Sequence, residues 1–135
     1  MLAKTVLVVD DSPTILKLVE MVLTKAGHKV TTASSGEAGL IVAKEDPPAL
    51  MLLDYVLPDF TGYDVCGAMS ADATLSTVPV IVMSAHGQDV EELFSKVSCV
   101  VDSISKPFSP EALLAVVGHA LNKTGALPLV EPAAD

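Results

Sequence analysis

Short apolar segments alternate with amphipathic helical segments along the whole chain. Two of the apolar segments, Val6–Val9 and Val78–Met83, are continuously apolar and rich in valine. That pattern is typical of strands buried on both faces of a parallel sheet. Five strands are predicted in all: Lys4–Val9, His28–Thr32, Ala49–Leu53, Val78–Met83 and Cys99–Ile104.

The segments between these strands carry the start and stop signals of helices. Ser12-Pro13 supplies an N-cap and a first-turn proline, and Gly27 closes the same helix. Further helices are predicted over Glu37–Lys44, from near Tyr63, from near Asp89 and after Ser109-Pro110-Glu111. The inward stripe is predicted to be Ile15, Val19, Val22, Leu23 and Ala26 in the first helix, and Leu113, Leu114, Val117 and Leu121 in the last.

Five strand–helix units with short connections predict an α/β domain with a doubly wound, five-stranded parallel sheet. The 135 residues suit one domain and leave little room for a second. From Asn122 the sequence contains Pro128 and Pro132 and shows no periodicity. Residues 122–135 are therefore predicted to form a flexible tail or linker.

Composition and charge exclude several classes of partner. The chain has 17 acidic and 8 basic residues, a net charge of −9, and every basic residue is a lysine. Because bidentate recognition of phosphate or guanine favours arginine, direct binding of nucleic acid is not expected. The longest apolar runs have five to seven residues, whereas a membrane-spanning helix needs about 20. No contact with a membrane is therefore predicted.

The cysteines and the N-terminus bear on the cellular compartment. Cys66 and Cys99 lie 33 residues apart without a CxxC pair, which argues against a zinc site or a disulfide framework. The only apolar run near the N-terminus, Val6–Val9, is followed at once by Asp10 and Asp11, unlike a secretory signal. Both observations favour a cytoplasmic protein in a reducing environment.

Polar side chains follow four of the predicted strands. The first strand ends in Asp10-Asp11, the third in Asp54 and the fourth in Ser84-Ala85, and the fifth leads into Lys106-Pro107. In doubly wound sheets, ligands bind beyond the carboxyl ends of the strands, where the strand order reverses. Each of these motifs alone has an ordinary explanation as a turn, a cap or a solvated loop. Their occurrence at four strand ends on one side favours a functional site.

The three predicted carboxylates would repel one another strongly at such an edge. A hard divalent cation held by oxygen ligands, together with the Lys106 ammonium, would compensate that charge. Because no cysteine or histidine is among these motifs, Mg²⁺ or Mn²⁺ is favoured over zinc or copper.

With these motifs the chain resembles the receiver domain of two-component response regulators. The resemblance spans about residues 3–121, in the family's order and with family-like spacing. The segments that carry it are Val8-Val9-Asp10-Asp11-Ser12, Leu52-Leu53-Asp54-Tyr55-Val56-Leu57-Pro58, Gly62, Val80-Ile81-Val82-Met83-Ser84-Ala85 and Ser105-Lys106-Pro107-Phe108.

The resemblance implies a CheY-like, flavodoxin-like sheet in the order 2-1-3-4-5, with helices on both faces. It also implies a phosphoacceptor that takes a phosphoryl group onto Asp54 from a histidine kinase or a phosphotransfer protein and then controls an output. Such a domain catalyses only its own phosphoryl transfer and dephosphorylation, and so is a signalling module rather than an enzyme with a separate substrate.

The resemblance assigns a role to each motif. Asp11 and Asp54 would ligate Mg²⁺ together with the main-chain carbonyl of Val56, and Asp10 would bind it through water. The phosphoryl oxygens would be held by Ser84, the Ala85 amide and Lys106. The Lys106–Pro107 bond would be the family's cis peptide, which proline permits at low cost.

The chain departs from the family pattern at one position that concerns the output. Ser103 stands three residues before Lys106, where family members commonly have an aromatic residue. The usual relay from Ser84 to the outer surface therefore cannot operate in that form. Two further positions, Val56 and His86, flank the phosphate in the family. Since an apolar Val56 cannot orient an attacking water, we expect slower self-dephosphorylation than a polar residue at this position would allow.

Two surfaces are candidates for partner contacts. Leu18 and Met21 point away from the inward stripe of the first helix, which receiver domains present to the kinase. The weakly polar outer strip of the last helix is a candidate contact for an effector or a second copy of the chain.

Two other classes of function were compared with this interpretation. An aspartate-nucleophile phosphatase typically carries its nucleophile after the first strand and has a cap domain, for which this chain is too short. A same-fold interaction scaffold that works without phosphorylation is the second alternative, and Ser103 is the residue in its favour.

Overall fold

A computed structural model describes residues 5–85 and 99–123 of the chain. The predicted apolar segments form one five-stranded sheet in the order β2-β1-β3-β4-β5. All four strand pairs are parallel, which confirms the predicted fold class. The strands are β1 (Thr5–Val9), β2 (Lys29–Ala33), β3 (Leu50–Asp54), β4 (Val80–Ser84) and β5 (Val100–Ser105).

The described helices are α1 (Pro13–Lys25), α2 (Gly36–Glu45), α3 (Gly62–Ser70) and α4 (Pro110–Lys123). α1 and α4 begin at their predicted caps, and α2 and α3 begin within one residue of their predicted starts. The Ser12 hydroxyl accepts from the Ile15 N–H at 3.3 Å, and Gly27 follows α1 with φ +99, a conformation that favours glycine. The helix predicted from near Asp89 lies outside the described residues. α4 continues through Asn122 to Lys123, two residues beyond the predicted start of the tail.

Side chains along the central strands point alternately to the two faces of the sheet, so the core has two layers. Val6 and Val8 of β1 face α1 and α4, whereas Leu7 and Val9 face α2 and α3. β3 and β4 are buried along their whole length, and β2 forms a partly exposed edge. Side chains on both faces of β1, β3 and β4 therefore exclude water, which leaves the ends of these strands available for a site.

Two positions predicted to face the core lie at the surface. Ala26 follows the last turn of α1 as its C-cap and is exposed. Leu114 is 38% exposed, whereas Leu113 and Val117 are fully buried. Because successive residues turn by about 100° around a helix, the stripe through Leu113 and Val117 places Leu114 beside it rather than within it.

The two cysteines lie together in the layer under α2 and α3. Both are free and buried. A hydrogen bond with the Cys99 thiol, together with burial, raises the pKa of the Cys66 thiol. The 33 residues that separate them in sequence gave no indication of this contact.

The carboxyl ends of β1, β3, β4 and β5 meet at one edge of the sheet. The peptide bond between Lys106 and Pro107 is cis, as expected. On the other side of Lys106, its N–H donates to the Ser84 carbonyl at 3.0 Å. Among residues 5–85 and 99–123, no helix has the length and apolar character that crossing a membrane requires.

Candidate functional site

The predicted carboxylates meet at this edge. Asp10, Asp11 and Asp54 each contribute an oxygen to a group in which all the oxygens lie within 4.8 Å of one another. Asp10 is fully buried and Asp54 is 8% exposed, whereas Asp11 is exposed. The cluster therefore opens to solvent on the side of Asp11.

Asp10 is held in place by contacts on three sides. Its N–H donates to the Ala33 carbonyl at 3.1 Å, which continues the β1–β2 ladder. Its Oδ1 accepts from the Ser12 N–H at 2.9 Å. Its Oδ2 accepts from Lys106 Nζ at 2.8 Å. A buried carboxylate with hydrogen bonds to both oxygens is fixed in one orientation.

Lys106 connects two of the carboxylates. Its Nζ lies 2.8 Å from Asp10 Oδ2 and 3.2 Å from Asp54 Oδ1. Burial by itself would lower the pKa of Lys106, but the hydrogen bond and charge of Asp10, followed by those of Asp54, outweigh burial and raise it. The ammonium therefore remains charged between the two carboxylates.

Asp54 has a surplus of negative charge around it. Burial, followed by the charge of Asp10, raises the pKa of Asp54. The Lys106 ammonium and the Val56 N–H oppose that rise without cancelling it. Among the described residues, three carboxylates thus cluster at this edge with one ammonium, which contacts two of them. The remaining negative charge and the all-oxygen donors fit a hard divalent cation such as Mg²⁺ or Mn²⁺.

Ser84 is the last residue of β4, the strand next to Asp54, and Ala85 follows it. Asp54 of β3 is in register with Met83 of β4, so that Ser84 lies one residue further towards the edge. Ser84 is buried and Ala85 is exposed. The structure therefore brings the hydroxyl and the following amide to the end of the strand beside Asp54.

Of the three remaining positions singled out in the sequence, the structure describes Val56 and Ser103. Val56 is 64% exposed. Ser103 is half-buried on β5 in register with Val82, and its N–H donates to Asp102 Oδ1 at 2.8 Å. His86 lies outside the described residues.

Two features of the molecule were not found from the sequence. A groove of about 440 Å³ separates α1 from α4, and Leu114, which had been assigned to the core, lines it with the predicted Leu18 and Met21. Asp59 connects the loop after β3 to the start of α2. The signal for this contact was a Pro58-Asp59 turn, which by itself indicates only a turn.

The chain belongs to the response regulator receiver domain family, whose model matches residues 6–118. It is therefore a receiver domain of the two-component signalling class. It is 32% identical over 116 residues to the protein PilH of Pseudomonas aeruginosa, covering 86% of this chain and 96% of PilH.

Other relatives are longer proteins. The chain is 38% identical over 128 residues to the transcriptional regulatory protein KdpE of Mycobacterium tuberculosis, covering 94% of this chain but 55% of KdpE. Among solved structures, the chemotaxis response regulator CheY4 of Vibrio cholerae matches with a TM-score of 0.80 at 26% identity, covering 89% of this chain and all of CheY4.

Proposed function

We propose that Asp54 is the phosphoacceptor of this receiver domain and that Mg²⁺, or Mn²⁺ in its place, is the required cation. Asp11, Asp54 and the Val56 carbonyl would hold the cation directly, and Asp10 would hold it through water. The observation that carries the proposal is the Lys106 ammonium, which contacts both Asp10 and Asp54 at the edge of the sheet. When bound, the cation would supply charge neutralisation at the phosphoryl group.

The proposed reaction transfers one phosphoryl group to the carboxylate. An oxygen of Asp54 forms a bond to phosphorus, and the bond from phosphorus to the imidazole nitrogen of a phosphohistidine breaks. Such a transfer depends mainly on in-line placement and on stabilisation of the oxygen charge. Ser84, the Ala85 N–H and Lys106 would hold the transferred oxygens, because they lie at the strand ends beside Asp54.

The new phosphoryl group would act as a local switch. Each charge-assisted hydrogen bond from Ser84 or Lys106 contributes about 1.5–3 kcal/mol, and two of them can shift a two-state equilibrium substantially. The domain would comprise residues 3–121, with 122–135 as tail or linker, and would act in the cytoplasm on an effector or on a second copy of the chain. It would not contact nucleic acid or a membrane itself, and its only chemistry would be its own phosphorylation and a slow dephosphorylation.

The test is treatment with acetyl phosphate and Mg²⁺ followed by mass spectrometry of the intact protein. We expect one added phosphoryl mass on the native chain, none on Asp54→Asn, and none when Mg²⁺ is removed by a chelator. Asp46→Asn is the matched control, because Asp46 is an exposed aspartate that caps the far end of α2. Absence of the added mass on the native protein would refute the proposal and favour the scaffold alternative.

The groove between α1 and α4 is proposed as the contact for the histidine kinase or phosphotransfer protein. Met21 is 57% exposed on its wall. Met21→Asp should therefore slow phosphoryl transfer from the cognate kinase by roughly tenfold, which corresponds to about 1.4 kcal/mol. Ile41→Asp is the control, because Ile41 is 51% exposed on α2, across the sheet from the groove. Equal rates of kinase-dependent labelling in the two variants would refute the assignment.

A further inference from the structure

The connection between β3 and α3 folds back on itself as a small hairpin, here called the β3–α3 hairpin (residues 55–61). Val56 pairs with Thr61 in an antiparallel bridge. Between them, the Leu57 N–H donates to the Phe60 carbonyl at 3.1 Å and closes the turn. The hairpin therefore has a defined tip, which contains Asp59.

Asp59 fastens this tip to the beginning of α2. Its Oδ1 accepts from the Gly36 N–H at 2.8 Å, and its Oδ2 accepts from the Glu37 N–H at 2.9 Å. The first N–H groups of a helix have no partner within the helix. The next N–H, that of Ala38, is bound by the Ser35 hydroxyl at 3.1 Å. The start of α2 is thus capped both locally and by a carboxylate 23 residues further along the chain.

The pKa of Asp59 agrees with this contact. Hydrogen bonds from the Glu37 and Gly36 N–H groups lower it from its ordinary value. Carboxylates bound in this way at the positive end of a helix remain ionised. Asp59 is therefore charged while it holds the hairpin.

At Gly36, side chains of the hairpin tip pack so closely against α2 that a Cβ atom would not fit. A Cβ atom built on Gly36 would lie 2.6 Å from Phe60 Cδ2 and 3.1 Å from Asp59 Oδ1. Both distances are shorter than ordinary van der Waals contact. Only glycine at this position allows the hairpin tip to rest against α2 without displacement.

The other end of the hairpin reaches the carboxylate site. Val56, which is bridged to Thr61, is the second residue after Asp54, so the hairpin begins directly at the carboxylate site. Because the Val56 side chain is 64% exposed, its packing does little to fix the main chain of this residue. The hairpin's own hydrogen bonds and its anchored tip must supply that constraint.

We propose that Asp59 is a positioning residue for the cation site, because it fixes the hairpin tip to α2 and thereby holds the Val56 main chain against Asp54. The inference rests on the proposed function, in which the Val56 carbonyl is a cation ligand. Asp59 itself does not belong to the carboxylate cluster. Its effect on the cation is transmitted through three residues of hairpin backbone.

The test compares the Mg²⁺ dissociation constant, measured by isothermal titration calorimetry, in the native chain and in variants. Loss of groups that orient metal ligands commonly weakens binding by about 10- to 100-fold. We expect Asp59→Ala to raise the dissociation constant about tenfold, the lower end of that range, because Asp59 acts through the backbone. Asp59→Asn should have a smaller effect, because its amide oxygen retains one of the two acceptors.

Asp72→Ala is the matched control. Asp72 also accepts two backbone N–H groups through its carboxylate, from Thr74 at 2.8 Å and Leu75 at 3.3 Å. It lies after the end of α3, away from the carboxylate cluster. Its removal should lower the thermal unfolding midpoint about as much as Asp59→Ala while leaving the Mg²⁺ dissociation constant unchanged.

Gly36→Ala disturbs the same contact from the side of α2. The added methyl group would push Phe60 and Asp59 away, and we expect it to raise the Mg²⁺ dissociation constant as well.

With acetyl phosphate as donor, the Mg²⁺ concentration that gives half-maximal labelling should rise in Asp59→Ala. The labelling rate at saturating Mg²⁺ should return to that of the native chain, a separation that general destabilisation would not produce.

The outcomes distinguish the two proposals. If the native chain binds Mg²⁺ and Asp59→Ala binds it as tightly as Asp72→Ala does, the positioning role is overturned and the proposed function stands. If the native chain binds no Mg²⁺, the proposed function and the inference both fail.

Discussion

Lys106→Met is expected to nearly abolish phosphorylation of Asp54 and to destabilise the fold. The substitution keeps an unbranched apolar side chain but removes the ammonium that contacts Asp10 at 2.8 Å and Asp54 at 3.2 Å. Removing one charge that stabilises a transferring group costs roughly 10²–10³-fold in rate. We therefore expect labelling by acetyl phosphate, followed by mass spectrometry, to slow by about that factor.

The same substitution leaves two buried carboxylates facing each other. Breaking a fully buried ion pair costs about 3–5 kcal/mol. Because 22% of the Lys106 side chain is exposed, we expect a loss of about 2 kcal/mol in the free energy of unfolding at neutral pH. Urea denaturation measures that loss directly.

Lys44→Met is the control for this prediction. Lys44 also faces an aspartate, but the distance to Asp72 is 4.0 Å and the Lys44 side chain is 61% exposed. An exposed pair of this kind contributes about 0–1 kcal/mol. If the two lysine substitutions lowered stability equally, Lys106 would not be compensating the charge of the carboxylate cluster.

Asp54→Asn, in contrast, is expected to stabilise the protein while removing the phosphoacceptor. The pKa of Asp54 is raised in the folded state, by burial and then by Asp10, so folding disfavours its charged form. A group with a raised pKa contributes stability below its unfolded pKa, and that contribution is lost as pH rises through the folded pKa. Asparagine has the same shape and no such loss.

The gain should therefore depend on pH. In a chelator, the unfolding midpoint of Asp54→Asn should exceed that of the native chain at neutral pH, and the difference should vanish as pH falls below the ordinary aspartate range. Adding Mg²⁺ should narrow the difference at neutral pH, because a bound cation stabilises only the chain that holds it. A difference that stays constant across pH would contradict the charge explanation.

Asp59→Asn is expected to shift the unfolding midpoint in the direction opposite to the shift expected for Asp54→Asn. Its folded pKa is lowered, first by the Glu37 N–H. Asp59 therefore contributes stability above its unfolded pKa, which is lost as pH falls through the folded pKa. We expect Asp59→Asn to lower the unfolding midpoint at neutral pH and to converge with the native chain in acid.

The negative charge of the carboxylate site acts in opposite directions on stability and on cation binding. Asp10 and Asp54 are brought together by strands that the core holds in register, although their charges repel. We expect the resulting negative surplus to lower stability in the absence of a cation. It also provides the oxygen donors and the potential that a divalent cation requires. Stability and cation binding are therefore opposed at the same residues.

The sequence predicted the fold well because the relevant signals are local. Continuous valine runs at β1 and β4, the Ser12 cap and Gly27 each act within a few neighbouring residues. The convergence of Asp10, Asp11 and Asp54 followed from a topological rule, since the carboxyl ends of parallel strands share one edge. The predicted cluster was confirmed, whereas the roles assigned to these carboxylates and to Lys106, Ser84, Ala85 and Val56 remain predictions.

Errors arose where a side chain's surroundings depend on a neighbouring element. Leu114 was assigned to the core because its spacing fits a broad apolar face, but α4 packs through the Leu113 and Val117 stripe, which leaves Leu114 over the groove beside α1. Helical periodicity predicts the buried face of a helix only to within about one residue at its border. Which border residues are buried depends on how the neighbouring helix packs.

The sequence by itself determined the succession of strands and helices along the chain and the residue types at each strand end. Periodicity, caps and turns are short-range properties that each segment carries with it. The tertiary structure alone decided that Asp59 caps α2 and that Cys66 meets Cys99. It also decided that the Lys106 ammonium lies closer to Asp10, at 2.8 Å, than to Asp54, at 3.2 Å. These contacts join distant parts of the chain, and the packing of whole elements against the sheet sets their distances.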